Sequence, residues 1–349
     1  MPPWHVLCKS SCFSVFLLML ALLAGCAREE PVRELAYIAV PQTFIRDRVA
    51  PVYQRIATVH NADRVEVLDR RRRFALVRLD SGEEGWIQER YLVTQQVFEV
   101  AHKLPESTRS LPSQAAAVTR AAVNLHILPG RETPHLYQLK ADEPVHMLKR
   151  TPRARDQAQA AAVAQRDSSD DGKDEVSEPP PLPMEDWWLI RTADGRYAGW
   201  VLGRLVFVDL PLEVAQYSEG ARIVAFFVLN EVEDGGERHP QYLVFYTDSK
   251  DGLPYDYNQA RVFSWNPKRH RYETAYRERG LEGFLPVEVG MEDFGKEGTF
   301  PTFAISARTK QGEMTQRKYR LMGPVVRRVT TQAISSPAPP VAPNLTTRR

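Results

Sequence analysis

The sequence has little cysteine, little net charge and no long apolar run. Its three cysteines, Cys8, Cys12 and Cys26, all lie within the first 26 of 349 residues, so the remaining chain has no thiol for a disulfide or a nucleophile. Forty-six Lys and Arg against 44 Asp and Glu give a net charge of +2, too balanced for a dedicated nucleic-acid-binding protein. The hydrophobic share of 43% is that of globular proteins, and the length predicts about two or three domains.

Catalytic signatures are also missing. The histidines after Cys26 form no H-E-x-x-H pattern, and the sequence contains no S-x-x-K, G-x-S-x-G, P-loop or Gly-rich dinucleotide motif. Paired carboxylates are the one class that spacing cannot test, because such pairs form only in space. We therefore expect no enzyme, no cofactor and no metal, with a carboxylate site as the open alternative at Glu282, Glu288, Glu292 and Asp293.

The N-terminal apolar run indicates a secretory signal. Residues 13–24 are apolar apart from Ser14, which is too short for a transmembrane helix of about 20 residues but typical of a secretory signal. The run ends at Leu23-Ala24-Gly25-Cys26, which resembles the lipobox of bacterial lipoproteins. The resemblance implies a signal peptide over residues 1–25, an acylated Cys26 and a tether over 26–34.

This resemblance also implies a location. An acylated Cys26 would anchor the chain in the membrane of a bacterial cell envelope, since two acyl chains already suffice for stable anchoring. Ala27 follows the cysteine where an Asp would retain a proteobacterial lipoprotein in the inner membrane. We therefore expect an outer-membrane lipoprotein that faces the periplasm.

Two stretches of the chain repeat one another. The segment 65–70 (Val-Glu-Val-Leu-Asp-Arg) corresponds to 145–150 (Val-His-Met-Leu-Lys-Arg), and Gly85-Trp86-Ile87 corresponds to Gly199-Trp200-Val201. Short alternating runs with Gly-bounded turns predict strands, and a small barrel is the simplest way to bury them.

The second copy resembles a bacterial SH3 domain of the SH3b type. Its segment 124–130 is similar to the opening N-x-R-x-x-P-G of that family, with His126 in place of the Arg, and 188–201 is similar to its W-x-x-V…G-x-x-G-W-V signature. The first copy shares the Gly-Trp closure but lacks the opening. The resemblance implies binding of cell-wall peptides.

The remaining chain predicts a third β domain and two unstructured segments. Apolar runs at 223–229 and 242–246, and a hairpin around residues 266–269, predict an antiparallel sandwich or barrel. The predicted fold is therefore all-β, with two small SH3-like barrels followed by this domain. The predicted boundaries are an SH3b-like domain at 35–98, a linker at 99–118, a second SH3b-like domain at 119–208 with a disordered insertion at 151–184, the antiparallel β domain at 209–330 and a disordered tail at 331–349.

Aromatic and basic residues supply the binding candidates. Trp187 and Trp188 are adjacent on a predicted strand, so they point to opposite faces and one of them should be partly exposed. That tryptophan and Tyr137 could line a groove, and Tyr255 and Tyr257 could recognise a ligand from a loop. A run of four arginines on a predicted hairpin tip is a candidate for binding anionic lipid headgroups or wall carboxylates: Arg70, Arg71, Arg72 and Arg73.

These features predict a non-enzymatic envelope lipoprotein whose barrels bind peptidoglycan or a partner protein. Two alternatives stay open, a structural or assembly subunit of an envelope complex and a wall-acting enzyme with an unrecognised carboxylate site. Nothing in the sequence sets the oligomeric state.

Overall fold

A computed structural model describes residues 34–155 and 182–335. Cys26 with all of its predicted tether except Glu34, the greater part of the predicted insertion and most of the predicted tail lie outside these ranges. The strands on both sides of the insertion reach into it, because they end at Ala154 and resume at Met184. Among the described residues, no helix is long and apolar enough to cross a membrane.

The all-β prediction is confirmed, since the described chain is built around three seven-stranded antiparallel sheets. The first sheet, here called barrel 1, has the strand order β3-β2-β6-β5-β4-β1-β7. Its strands are β1 (Glu34–Ile38), β2 (Gln42–Arg46), β3 (Arg55–His60), β4 (Arg64–Arg71), β5 (Phe74–Leu79), β6 (Glu84–Gln88) and β7 (Leu92–Thr94). A 3-10 helix at Glu89–Tyr91 leads into the last strand.

The second sheet, barrel 2, repeats this topology strand for strand in the order β10-β9-β13-β12-β11-β8-β14. A 3-10 helix again precedes the last strand, at Gly203–Leu205. The strands are β8 (Ala115–Thr119), β9 (Val123–His126), β10 (His135–Leu139), β11 (Pro144–Ala154), β12 (Met184–Thr192), β13 (Ala198–Leu202) and β14 (Val206–Val208). The internal repeat found in the sequence is therefore also a repeat of strand order.

The predicted linker at 99–118 is wrong in part, because it holds regular structure. Helix α1 (Gln95–Ser107) starts at Thr94, whose hydroxyl caps the amide of Val97, and strand β8 begins at Ala115. The helix buries Val97 and Ala101 between the two barrels, against Tyr37 of barrel 1 and two residues of barrel 2, Ile127 and Leu136. Burial of this apolar stripe stabilises a helix that a polar segment with Pro105 did not suggest.

The third sheet is a meander in chain order, β15 to β21. Its two edge strands, β15 and β21, do not pair with each other among the described residues, so it is one antiparallel sheet rather than a sandwich of two sheets. Its strands are β15 (Arg222–Asp234), β16 (Glu237–Thr247), β17 (Tyr257–Asn266), β18 (Arg271–Asp293), β19 (Thr299–Arg308), β20 (Met314–Met322) and β21 (Val325–Ala333). A short helix, α2 (Leu212–Ala215), and 3-10 helices at Gln216–Ser218 and Gly295–Glu297 complete the described elements.

Barrel 2 and the meander share one hydrophobic core, which barrel 1 does not join. Trp188 and Ile190 of barrel 2 belong to the same buried cluster as Phe245 and Phe303 of the meander. Gln114, fully buried, ties the two together, because its carbonyl accepts from the amide of Phe226 and its Oε1 accepts from the amide of Val287. Barrel 1 packs around its own cluster, which includes Ile38, Ile45, Val65, Val77 and Ile87.

Candidate functional site

The strand registers of the two barrels define equivalent positions on their outer faces. Arg46 pairs with Trp86 across β2 and β6, and His126 pairs with Trp200 across β9 and β13. Arg46 also pairs with Arg55, as His126 does with His135. Each barrel therefore presents one comparable face, formed by the first hairpin and the Gly-Trp strand.

In barrel 1 this face consists of arginines lying on aromatic rings. The guanidinium of Arg46 is 4.3 Å from the ring centroid of Phe74 and 4.7 Å from that of Tyr53. The guanidinium of Arg55 is 4.3 Å from the ring of Phe44, which stacks on Tyr53 at 5.8 Å. All five side chains are half-buried or exposed. We call these five residues the arginine–aromatic face.

The arginine–aromatic face has unneutralised positive charge. Neither Arg46 nor Arg55 forms an ion pair with any residue that the structure describes, whereas the nearby Arg48 pairs with Asp47 at 2.6 Å. Each ring contact holds a guanidinium in a fixed position without satisfying its N–H groups. The face can therefore offer several directed hydrogen bonds to an anion and apolar ring surface beside them.

The four-arginine run lies at the tip of the β4–β5 hairpin, as predicted, but two of its four charges are neutralised by ion pairs. Arg70 pairs with Glu34 and Glu89, and Arg71 pairs with Asp69 at 3.1 Å while lying 5.1 Å from the Trp86 ring. Two exposed arginines remain at the turn itself, with no ion pair among the described residues: Arg72 and Arg73. The tip adds positive charge beside the arginine–aromatic face, since Trp86 is the register partner of Arg46.

The equivalent face of barrel 2 is closed. Trp187, the counterpart of Phe74, is 2% exposed, and its ring meets that of His126 edge-on at 5.2 Å. Glu185 beside it is buried and accepts hydrogen bonds from Arg131 and Arg155. Burial lowers the pKa of His126, so its imidazole stays neutral near pH 7.

The prediction that one of the two adjacent tryptophans is partly exposed is wrong. Trp188 is 3% exposed and lies in the core that barrel 2 shares with the meander. Trp187 points to the other face of β12, where a second cluster with Leu148, Trp200 and Leu111 covers it. The two side chains do lie on opposite faces of β12, as predicted. Both faces of this strand are packed, however, so neither ring is open to a ligand.

The tyrosine candidates are also buried or half-buried among other residues. Tyr257 is fully buried at the start of β17, with its ring tilted against that of Phe245, and it donates its hydroxyl proton to the carbonyl of Ser306 at 3.0 Å. The prediction that it recognises a ligand from a loop is therefore wrong. Tyr255 is half-buried, and its carbonyl accepts from Arg150. Tyr137 is half-buried against Tyr197, with ring centroids 4.5 Å apart.

The carboxylate candidates of the meander do not form a pair. The four candidates Glu282, Glu288, Glu292 and Asp293 all lie on β18. Glu288 and Glu292 are four residues apart, which is roughly 13 Å at about 3.3 Å per residue, and Asp293 is next to Glu292, so the side chains of these two point to opposite faces of the strand. Glu282 pairs with Arg308, and Glu292 with Lys318. In the ranges 34–155 and 182–335, no group of three His, Cys, Asp or Glu is placed to hold a metal ion.

The arginine–aromatic face was missed at the level of sequence, although part of it carried a signal. Phe44 and Arg46 alternate with buried Ile45, which places both on the outer face of β2. Tyr53 and Arg55 join them only through the pairing of β2 with β3, and Phe74 only because β6 pairs with both β2 and β5.

Comparisons with known proteins add little. No protein family and no curated protein matches the sequence. Two solved structures that resemble it are NlpC2 and NlpC1 from Trichomonas vaginalis. NlpC2 is 10% identical over 72% of this chain and 99% of that one, and NlpC1 is 11% identical over 71% and 89%, both with a TM-score of 0.17. A likeness at that TM-score assigns neither a fold nor an activity to this chain.

Proposed function

We propose that the protein is a non-enzymatic lipoprotein of the bacterial envelope that binds peptidoglycan through the arginine–aromatic face of barrel 1. The observation that carries the proposal is the pair of guanidiniums, Arg46 and Arg55, that lie on aromatic rings and have no ion pair among the described residues. Peptidoglycan stem peptides present carboxylates next to aliphatic side chains, a combination that such a face would recognise.

The lipobox-like sequence supports the location. Glu34, the first described residue, is eight residues beyond Cys26, which allows at most about 30 Å between barrel 1 and an acylated Cys26. An anchor in the outer membrane would hold the arginine–aromatic face in the periplasm, close to the wall.

The test is co-sedimentation of residues 27–349 with purified peptidoglycan sacculi at low and high salt. The variant Arg46→Gln/Arg55→Gln removes the two free guanidiniums. The control Arg64→Gln/Arg196→Gln removes the same charge from exposed arginines that pair with Asp80 and Asp194.

We expect the face variant to lower the bound fraction at least tenfold and the control to lower it less than threefold. Binding should fall with salt but persist, because ring contacts are not screened. Equal losses in the two variants would mean nonspecific charge attraction. No binding of the unmodified chain at either salt would overturn the proposal and direct attention to a protein partner in an envelope complex.

A further inference from the structure

A cleft lies where barrel 2 meets the meander. It has a volume of about 470 Å³, within the range of small-molecule sites. Its walls are mainly apolar and come from β11, β12 and β14 on one side and from the start of β15 on the other. The apolar residues that line it include Met147, Trp188, Val206, Val208, Ile223 and Val224.

The charges at this cleft all have one sign. The described residues that line it include three arginines and no carboxylate. Arg222 is neutralised, because its Nη1 contacts Asp186 at 3.1 Å and Asp251 at 2.8 Å. Arg120 and Arg204 are exposed and form no ion pair in the part of the chain that the structure describes.

The mouth of the cleft combines these cations with open apolar surface. Phe207 is 54% exposed, and the guanidinium of Arg120 lies 5.1 Å from its ring. A purely polar solute would make no apolar contact with the walls of the cleft. A neutral apolar solute would leave the two cations, Arg120 and Arg204, without an anion. A ligand with an apolar body and an anionic end satisfies both.

We propose that this cleft binds a single-chain anionic amphiphile, with the chain between barrel 2 and the meander and a carboxylate or phosphate head between Arg120 and Arg204. The site shares no residue with the arginine–aromatic face and does not depend on peptidoglycan binding. A fatty acid and a lipid phosphate are two sources of this chemistry.

The proposal predicts a dependence on both chain length and head charge. Each additional buried methylene should tighten binding about fourfold, so dodecanoate should bind roughly 15-fold more tightly than decanoate. Dodecyl phosphate should bind as a 1:1 complex too, whereas dodecyltrimethylammonium, with the same chain and a cationic head, should bind at least tenfold more weakly.

Isothermal titration calorimetry of residues 27–349, which include every described residue, tests these expectations below the critical micelle concentrations. The variant Arg120→Gln/Arg204→Gln should weaken both anions at least tenfold, and Ser249→Trp, at an exposed position that lines the cleft, should weaken all chains by obstruction. Arg64→Gln/Arg196→Gln is the charge-matched control and should bind as the unmodified protein does.

Circular dichroism of each variant shows whether it is folded. The tighter of the two anions identifies the source of the ligand, and either order supports the proposal. It is overturned if anionic and cationic chains bind alike, if the folded double arginine variant keeps full affinity, or if no chain binds below its micelle concentration.

Discussion

At the scale of single residues, the two barrels use the same repeat position in different ways. Arg70 and Arg150 occupy equivalent sites, yet their side chains are 41% and 3% exposed. Arg150 donates to Asp186 at 2.7 Å and to Asp256 at 3.1 Å, and also to the carbonyls of Leu253 and Tyr255. It thereby fixes the loop that enters β17 against barrel 2.

Replacing these two arginines by methionine should therefore have unequal effects. Arg150→Met leaves the largely buried carboxyl group of Asp256 without its cation and leaves the buried carboxyl group of Asp186 with Arg222 alone, and we expect a loss of about 3–5 kcal/mol in the free energy of unfolding. Arg70→Met breaks exposed pairs only and should cost about 1 kcal/mol or less. Urea unfolding of the two variants measures both values. Similar losses in the two variants would show that Arg150 does not hold the loop that enters β17 against barrel 2.

At the scale of elements, the Gly-Trp strand shows why each barrel needs glycine at its closure. A Cβ at Gly199 would lie 2.7 Å from the Cβ of Leu125, and one at Gly85 would lie 3.0 Å from the Cβ of Ile45. The facing strands β9 and β2 approach too closely for a side chain. Trp200 and Trp86, next in sequence, are consequently held at the same point of each barrel.

Alanine at these glycines should destabilise both barrels, and barrel 2 more. We expect Gly199→Ala to lower the free energy of unfolding by about 1–3 kcal/mol and Gly85→Ala by less, because overpacking forces strands apart. Gly290→Ala, in β18 with no atom within 4 Å of the added carbon, is the control and should change stability by under about 0.5 kcal/mol. Thermal unfolding followed by circular dichroism ranks the three variants. A loss at Gly290 as large as that at Gly199 would contradict this explanation.

Local patterns predicted most strands but not the contacts between elements. The runs at Val65 and Phe74 became β4 and β5, because alternation alone specifies a half-buried strand. Helix α1 was missed, although Val97, Ala101 and Leu104 have helical spacing, since its stabilising partners Ile127 and Leu136 lie on another barrel.

The burial of the candidate binding residues depended even more on long-range contacts. One of Trp187 and Trp188, which point to opposite faces of the strand, was expected to be partly exposed, but the shared core buries Trp188 and the segment after α1 helps to bury Trp187. The arginine–aromatic face forms only when three strands meet, and no local window contains that information. The composition of this face is thus a property of strand pairing rather than of one motif.

At the scale of the whole molecule, the cores divide the chain unequally. Barrel 2 and the meander share one hydrophobic core, whereas barrel 1 has its own core and contacts barrel 2 mainly through α1. A side-chain hydrogen bond adds to this contact, because Asn61 donates to the carbonyl of Leu136 at 2.7 Å. The described residues therefore divide into two cores joined by a narrow contact, and we expect these two cores to behave as two cooperative units.

Equilibrium unfolding should accordingly show two transitions. Trp86 is the one tryptophan of barrel 1 in the described chain, so the fluorescence difference between the unmodified protein and Trp86→Phe reports that unit. Gln114→Leu leaves the buried amide of Val287 without an acceptor and should lower the stability of barrel 2 and the meander by about 1–3 kcal/mol. The Trp86 transition should keep its urea midpoint in that variant, because the hydrogen bonds of Gln114 run to barrel 2, to the segment before it and to the meander. If the Trp86 signal shifted together with the circular dichroism of the whole chain, the three sheets would form a single cooperative unit, and the separate core of barrel 1 would not be an independent source of stability.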